Sequence, residues 1–548
     1  MFEEFFRLEN LHLIIGIFAS IVSAVLVVLV AQKFFQVLQL SGYKARGYFA
    51  WIKDTKGKYV SRVTMLACLS LFCVLVTNTL FDGYNKDGYL SYIGLVFYVY
   101  FTIIFVINAN KSQVKTPLVQ TRRMSRLTTV LFVIAFALSL LLLCVSTTYI
   151  DFLGGGIIVL MPLLVPILVP VVHFLTAPIE NLIRLRYVQK ARKKLENYPN
   201  LIRIAITGSF GKTSTKFILN RMLAKKYDVC MTPHSFNTPM GLTKVVLNYL
   251  KPNHEVLISE MGAKQMGDID YLCKLIKPTY GIITGIGSQH METFGSAENI
   301  ARTKAELLKN LPENGVAVVN TTSAAGEKMF EECKTSTKYA VRLDGAGLHV
   351  ENVILSKNGS EFDLVTQDGE KAHCKTKLLG RHNLINITLA AQMALVLGVS
   401  LKDIAESLEE MAPITHRLEV THSGGVTILD DAFSANEEGA KSAVECLALY
   451  SEEVKICITP GIVELGAQEE AANKELGRIL GAVCDKVIIV NKVNEAALRV
   501  GLEESALDPE NILFAESLDL AKAKLATILE KDKRYAVLFL NDLPDNYI

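Results

Sequence analysis

Five runs free of Asp, Glu, Lys and Arg fill the first third of the chain, at about Leu13–Ala31, Val63–Phe81, Leu90–Asn108, Leu127–Cys144 and Ile157–Leu175. Each approaches the roughly 20 apolar residues that a helix needs to cross a bilayer. Within hydrocarbon only a helix or a closed barrel satisfies its own backbone, so these runs predict a helical membrane domain over residues 1–176. The first run has neither a basic leader nor a small-residue cleavage site, and it is read as a retained helix rather than a signal peptide. Basic residues gather in two connecting segments: Lys33, Lys44, Arg46, Lys53, Lys56, Lys58 and Arg62, then Lys111, Lys115, Arg122, Arg123 and Arg126. The other two connections hold only Lys86. Basic segments stay cytoplasmic. The N-terminus is therefore expected outside, and the large C-terminal part inside, on a plasma membrane.

The fifth run is preceded by Gly154, Gly155 and Gly156 and carries Pro162, Pro166 and Pro170 at steps of four. Each proline removes a backbone donor. A kinked packing helix and a groove for a lipid are the two readings. Residues 177–200 then read as a basic amphipathic linker helix: Ile179, Leu182, Ile183, Tyr187, Ala191 and Leu195 alternate with Arg184, Arg186, Lys190, Arg192, Lys193 and Lys194. Such a helix can lie on an anionic membrane or pack on the next domain. Pro199-Asn200 closes it.

Beyond residue 200 the pattern is that of a soluble α/β protein. The net charge of +2 provides no global basic field for nucleic acid. The ten cysteines form no C-x-x-C pair, which argues for reduced, buried thiols rather than zinc or disulfides. The apolar strand-like run Leu201–Ile206 leads into Thr207-Gly208-Ser209-Phe210-Gly211-Lys212-Thr213-Ser214 and then a helical pattern. Strand, glycine loop and helix together form a phosphate cradle: amides at the helix start face the anion, the lysine reaches the β- and γ-phosphates, and the hydroxyl holds Mg²⁺. The general motif places its first glycine five residues before the Gly-Lys pair, whereas Gly208 is three before Gly211.

That shorter spacing resembles the Mur ligase loop, T-G-[TS]-x-G-K-[ST]-[ST]. Further segments resemble the same family, in order. They are Ser235–Gly241; Glu260-Met261-Gly262-Ala263 after a strand-like run; Gly281 to His290; Ala301–Glu306; Gly380-Arg381-His382-Asn383-Leu384-Ile385-Asn386; His416-Arg417-Leu418-Glu419; and Asp430–Asn436. The resemblance spans about Leu201 to Ile548 and is nearest to the D-alanyl-D-alanine-adding Mur ligase. It implies an α/β central ATP-binding domain at 201–412 and a Rossmann-like α/β C-terminal domain at 413–548.

The family couples ATP cleavage to amide formation through an acyl phosphate. The resemblance implies that Gly208, Ser209, Gly211, Lys212, Thr213 and Ser214 cradle the phosphates, with Lys212 stabilising the transferring group. It implies one Mg²⁺ on Thr213 and Glu260, and a second on His290 and a carbamate of Lys304. Cations and Mg²⁺ offset the charge of two anions brought together. Asn383 and Asn386, with His382 beside them, would meet adenine; Arg417 and Asp431 would approach the nucleotide. Phe433, Ser434 and Glu437 depart from the family pattern, which leaves the ribose contacts unassigned. Thr459–Gly466 resembles a loop near the amine substrate.

Mur ligases of peptidoglycan synthesis begin with a soluble domain that binds a UDP-sugar acceptor; here apolar runs stand in its place. The expected substrates are therefore an amino acid or short peptide and a carboxylate on a membrane-held, lipid-linked envelope precursor. A ligase like the membrane-bound poly-γ-glutamate synthases is a second reading. A non-catalytic nucleotide-binding regulator of a transport unit is a third, disfavoured by the intact Lys212, Glu260, His290 and Lys304 and by spans poor in polar groups.

Overall fold

A computed structural model describes residues 8–55, 57–80, 93–111, 117–149, 154–233, 235–287, 289, 291–345, 347–433, 436–505 and 507–543. It divides into two compact units, one ending at Arg184 and one running from Leu185 to Leu543.

The first unit is helical, with helices Leu8–Leu40, Ala45–Asp54, Lys58–Leu80, Ile93–Lys111 and Arg122–Tyr149, a 3₁₀ stretch Gly154–Leu164, and the start of the helix Val165–Glu196. Phe34, Phe35, Leu38, Leu127, Leu131, Met161 and Val169 build its interior. Phe18, Phe72, Val96 and Phe174 point outward and are exposed, as on a lipid-facing surface. Among the described residues four stretches are long and apolar enough to cross a bilayer: Ile14–Leu40, Lys58–Val76, Arg122–Leu142 and Ile158–Glu196. The expected crossing at Leu90–Asn108 lies partly outside the described residues; its described apolar part is Val96–Asn108.

The fifth expected crossing and the linker helix require correction. No break separates them, because the helix runs unbroken from Val165 to Glu196 with Pro170 and Pro178 inside it. Pro162 falls in the 3₁₀ stretch and Pro166 in the first helical turn, where a missing N–H costs nothing. The three prolines at steps of four therefore do not lie in one α-helix. The C-terminal part of this helix packs on the ligase core through Val188, Ala191 and Leu195. Arg203 ties down its end by donating to the carbonyls of Leu195 (2.8 Å) and Tyr198 (3.2 Å).

The second unit contains two open sheets. Strands β1 (Ile202–Thr207), β2 (Val229–Met231), β3 (Val256–Glu260), β4 (Tyr280–Ile283), β5 (Val316–Asn320) and β6 (Thr337–Val341) form the first. Its order is β2-β3-β1-β4-β5-β6, and every pairing is parallel. These strands read as nearly continuous apolar runs because helices cover both faces. A small antiparallel sheet follows, of β7 (His349–Ser356), β8 (Gly359–Val365) and β9 (Lys371–Thr376). The second open sheet holds β10 (Glu419–Ser423), β11 (Val426–Asp431), β12 (Val454–Thr459), β13 (Lys486–Val490), β14 (Ile512–Ala515) and β15 (Tyr535–Leu540), in the order β10-β11-β15-β12-β13-β14. Only the β10–β11 pairing is antiparallel. An apolar helical region followed by two α/β layers is the architecture expected from the chain.

Candidate nucleotide and metal site

In the first sheet β1 is flanked by β3 on one side and β4 on the other; the connection after β1 runs toward β2 on one side, and that after β4 runs toward β5 on the other. Such a switch point opens a crevice beyond the carboxyl ends of the strands. The three strands end there on Thr207, Glu260 and Ile283. The loop after β1 is fastened to the one after β4: the Ser209 amide donates to the Gly285 carbonyl (2.7 Å) and Ser209 Oγ to that of Gly287 (3.1 Å). Gly211 caps the helix Lys212–Leu223 with a φ of 81°, a left-handed value that favours glycine. A Cβ there would also strike Asn386 Oδ1.

Lys212 curls back over the loop, its Nζ donating to the carbonyls of Gly208 (2.8 Å) and Ser209 (2.7 Å). Burial lowers its pKa to about 8; Glu260 opposes the shift and Arg417 adds to it. Glu260 is buried and receives three side-chain donors. Thr213 Oγ1 (3.1 Å) and Lys216 Nζ (3.0 Å) donate to Oε2, and Asn237 Nδ2 (3.1 Å) donates to Oε1. Burial pushes its carboxyl up, but Lys216 and Lys212 outweigh that and hold it below the usual carboxylate range. An ionised carboxylate beside a hydroxyl is a hard oxygen set, suited to Mg²⁺.

Lys304 lies in the helix Ala297–Lys309, 3 % exposed, with its Nζ 5.9 Å from the Phe294 ring centroid. Burial first, and the Lys212 charge second, lower its pKa to about 7. A large fraction of this amine is therefore uncharged near neutrality, the state in which an amine adds to CO₂. His290 lies outside the described residues, but its neighbour is anchored: the Met291 amide donates to the Glu464 carbonyl (3.1 Å). That bond brings the expected amine-side loop, Thr459–Gly466, beside the end of the β4 segment. Asn473 clamps the loop by accepting from the Ile462 amide and donating to its carbonyl, each at 2.8 Å.

The adenine-side residues are turned partly inward. Asn383 donates to the Leu379 carbonyl (2.8 Å) and accepts from Asn386 Nδ2 (3.2 Å). Asn386 Oδ1 accepts from Thr215 Oγ1 (3.3 Å), so this amide buttresses the phosphate loop from behind. His382 Nδ1 meets Ser442 Oγ at 2.8 Å, and burial plus the Arg417 charge lower its pKa to about 4. Arg417 lies within electrostatic reach of Lys212, Lys216, His382, Glu260 and Asp431. Its neighbours His416 and Leu418 hold positive φ values of 58° and 50°, backbone strain of the kind stored at functional sites. Asp431, buried at the end of β11, accepts from the Leu418 amide (3.2 Å) and so shapes the turn that presents Arg417.

The structure thus gathers Lys212, Thr213, Glu260, Lys304, His382, Asn386, Arg417 and Asp431 around one crevice. Motif reading overlooked Lys216. The available signal was its position four residues after Lys212, which puts both ammonium groups on one helix face.

A glycine loop at a switch point, a hydroxyl–carboxylate pair suited to Mg²⁺ and a second α/β layer bearing an arginine fit an ATP-dependent ligase. The chain belongs to the Mur ligase family. The Mur ligase middle domain matches residues 206–394. A UDP-N-acetylmuramoyl-tripeptide–D-alanyl-D-alanine ligase of Bacillus subtilis is 31 % identical over 329 residues, 58 % of this chain and 69 % of that protein. The crystal structure of MurF from Acinetobacter baumannii superposes with a TM-score of 0.61 at 26 % identity, covering 66 % of this chain and 78 % of that one. MurF from Thermotoga maritima in complex with ADP gives 0.57 at 26 % identity, covering 66 % and 81 %.

Proposed function

We propose that this ligase joins the amine of an amino acid or short peptide to a carboxylate on a membrane-held, lipid-linked envelope precursor, with its catalytic part on the cytoplasmic side. The observation that carries the reading is the helix Val165–Glu196, which leaves an apolar span and continues into residues packed on the ligase core. A ligase anchored in this way gains most from an acceptor confined to the same surface, because confinement raises effective concentration without new contacts. The Bacillus subtilis relative carries a UDP-linked acceptor in its name, and on this reading the acceptor's carrier is where this chain departs from it.

Within this reading residues 201–412 bind ATP and residues 413–548 close over it. Lys212 and the loop amides hold the β- and γ-phosphates, Arg417 adds positive charge, and Asp431 keeps Arg417 in place. Thr213 and Glu260 would hold one Mg²⁺; Lys304 as its carbamate, with His290, would hold a second. Bound Mg²⁺ supplies charge neutralisation for attack of the carboxylate on the γ-phosphate. That attack releases ADP and leaves an acyl phosphate, from which the amine displaces inorganic phosphate at the carbonyl carbon and loses a proton to form the amide. Asn383 and Asn386 secure the loop beside the adenine.

Purified full-length protein should consume ATP with lipid-linked acceptors. Turnover confined to soluble UDP-linked acceptors would refute the membrane-held substrate. In cells, Lys212→Ala should cause a lipid-linked precursor lacking one amino acid or dipeptide to accumulate, measured by mass spectrometry of the envelope pool. Carbamylation is tested separately: ¹³C-labelled bicarbonate should give a carbamate resonance that Lys304→Ala removes.

A further inference from the structure

We propose that Lys216 is a specificity-determining residue for the divalent cation: it blocks one oxygen of Glu260 and so restricts that carboxylate to single-oxygen coordination, favouring Mg²⁺ over Ca²⁺. The inference rests on the reading of Glu260 as a metal ligand.

A carboxylate offers about four lone-pair directions, two on each oxygen. On Glu260 Oε2 both are taken, by Lys216 Nζ at 3.0 Å and Thr213 Oγ1 at 3.1 Å. On Oε1 one is taken, by Asn237 Nδ2 at 3.1 Å. One direction remains, on Oε1. Thr213 can keep its proton on Oε2 and still offer its own lone pairs to a metal.

Lys216 cannot step aside as a surface lysine would. Its side chain is fully buried, and its ion pair with Glu260 is buried on both sides, at 0 % and 1 % exposure. Its ammonium also lies 4.9 Å from the Phe217 ring centroid. Withdrawing it would leave two buried opposite charges apart in a poorly solvated interior, and breaking a buried pair is strongly unfavourable. The pair therefore persists when a cation enters.

The two physiological cations respond differently to such a site. Mg²⁺ demands octahedral geometry with oxygens near 2.0–2.1 Å and takes carboxylate oxygens singly. Ca²⁺ takes six to eight oxygens at roughly 2.3–2.6 Å and often binds carboxylates through both. With Oε2 occupied, Ca²⁺ loses a ligand and Mg²⁺ loses none. The positive charge of Lys216 repels both ions alike, since both are divalent. The ratio of their affinities therefore isolates the coordination effect from the charge effect.

The test uses full-length protein and binding of a methylene-bridged, non-hydrolysable ATP analogue, followed by calorimetry as a function of added Mg²⁺ or Ca²⁺. The readout is the ratio of half-saturating Ca²⁺ to half-saturating Mg²⁺. Lys216→Met should lower this ratio about tenfold, the low end of effects seen on removing a partner of a metal ligand. Lys216→Gln retains an N–H donor for Oε2 without the charge and should keep the ratio. Asn237→Ala frees only Oε1 and should keep it too. An unchanged ratio in folded Lys216→Met overturns the proposal. If that variant fails to fold, Lys216→Leu, which likewise has no donor for Oε2, is read in its place: a ratio lowered about tenfold supports occupancy of Oε2, and an unchanged one overturns the proposal. Glu260→Gln separates the two readings. If it leaves the metal dependence of analogue binding intact, Glu260 is not the ligand and the metal assignment falls. If it removes that dependence while Lys216→Met keeps the ratio, only the present inference falls.

Discussion

At the scale of single residues, the site is distinguished by cations placed where water is scarce. Lys304 is the sharpest instance. Its folded pKa of about 7 lies below its ordinary value of 10.5, with burial the main cause. Between those pH values the unfolded chain holds a proton that the folded chain has released. Stability contributed by this residue therefore rises as pH climbs from about 7 toward 10, and below 7 the buried charge is a cost. In bicarbonate-free buffer, where the amine is not carbamylated, Lys304→Met removes the titration. The variant should unfold at a higher temperature than the wild type at pH 7, and its unfolding temperature should climb less steeply up to pH 10. Scanning fluorimetry across that range checks this, and parallel curves for the two proteins would contradict it.

At the scale of elements, glycine placement and carbonyl capping explain why the loop and the long helix take the shapes they do. Gly211→Ala forces a side chain into a left-handed position, at roughly 1–2 kcal/mol, and against Asn386. Affinity for an ATP analogue should fall tenfold or more while the far-ultraviolet spectrum stays unchanged; intact affinity would show that the loop re-forms around the methyl. Arg203 serves a different element pair. It donates to the carbonyls of Leu195, Tyr198 and Ile276. Arg203→Ala removes a donor from each of the three carbonyls, of which Leu195 and Tyr198 keep a backbone donor, and should lower stability by about 1–3 kcal/mol, read as a drop of several degrees in unfolding temperature.

These elements also mark how far sequence alone reaches. Lys212, Thr213, Glu260 and Arg417 were legible because each stands in a short motif whose backbone context fixes its direction. Lys216 was not, since the loop pattern ends at Ser214 and nothing local announces that a lysine one turn later will be fully buried against Glu260. The continuity of the helix Val165–Glu196 was hidden because composition changes from apolar to basic within it. Proline removes one hydrogen bond, and a helix held by packing through Val188, Ala191 and Leu195 tolerates that loss. The inward turn of Asn383 and Asn386 was equally hidden: a motif names the residues near a nucleotide but not the hydrogen bonds that they make to each other.

At the scale of the whole molecule, charge asymmetry between connecting segments is what would orient the chain in a membrane under the proposed function. The segment between the helices Leu8–Leu40 and Lys58–Leu80 carries Lys44, Arg46, Lys53 and Lys56, and the helix Arg122–Tyr149 opens with Arg122, Arg123 and Arg126. Part of this charge is held within the protein: Arg126 binds Glu180 through two bonds of 2.6 and 2.9 Å, and the Arg123 guanidinium lies 3.7 Å from the Tyr43 ring centroid. Burying these arginines in protein contacts lowers the energy of keeping them at this end of the helices; translocating them would require breaking an ion pair and carrying charge across hydrocarbon. A phosphatase reporter active only outside the membrane should therefore be active when fused after Lys86 and inactive when fused after Lys115. A fluorescent protein that folds only inside should be bright when fused to the C-terminus. Replacing Arg122, Arg123 and Arg126 together by Gln should weaken this contrast, because the segment then keeps only Lys111 and Lys115. An active phosphatase after Lys115 in the unaltered chain would place the ATP site on the side that lacks ATP, and the ligase reading could not stand.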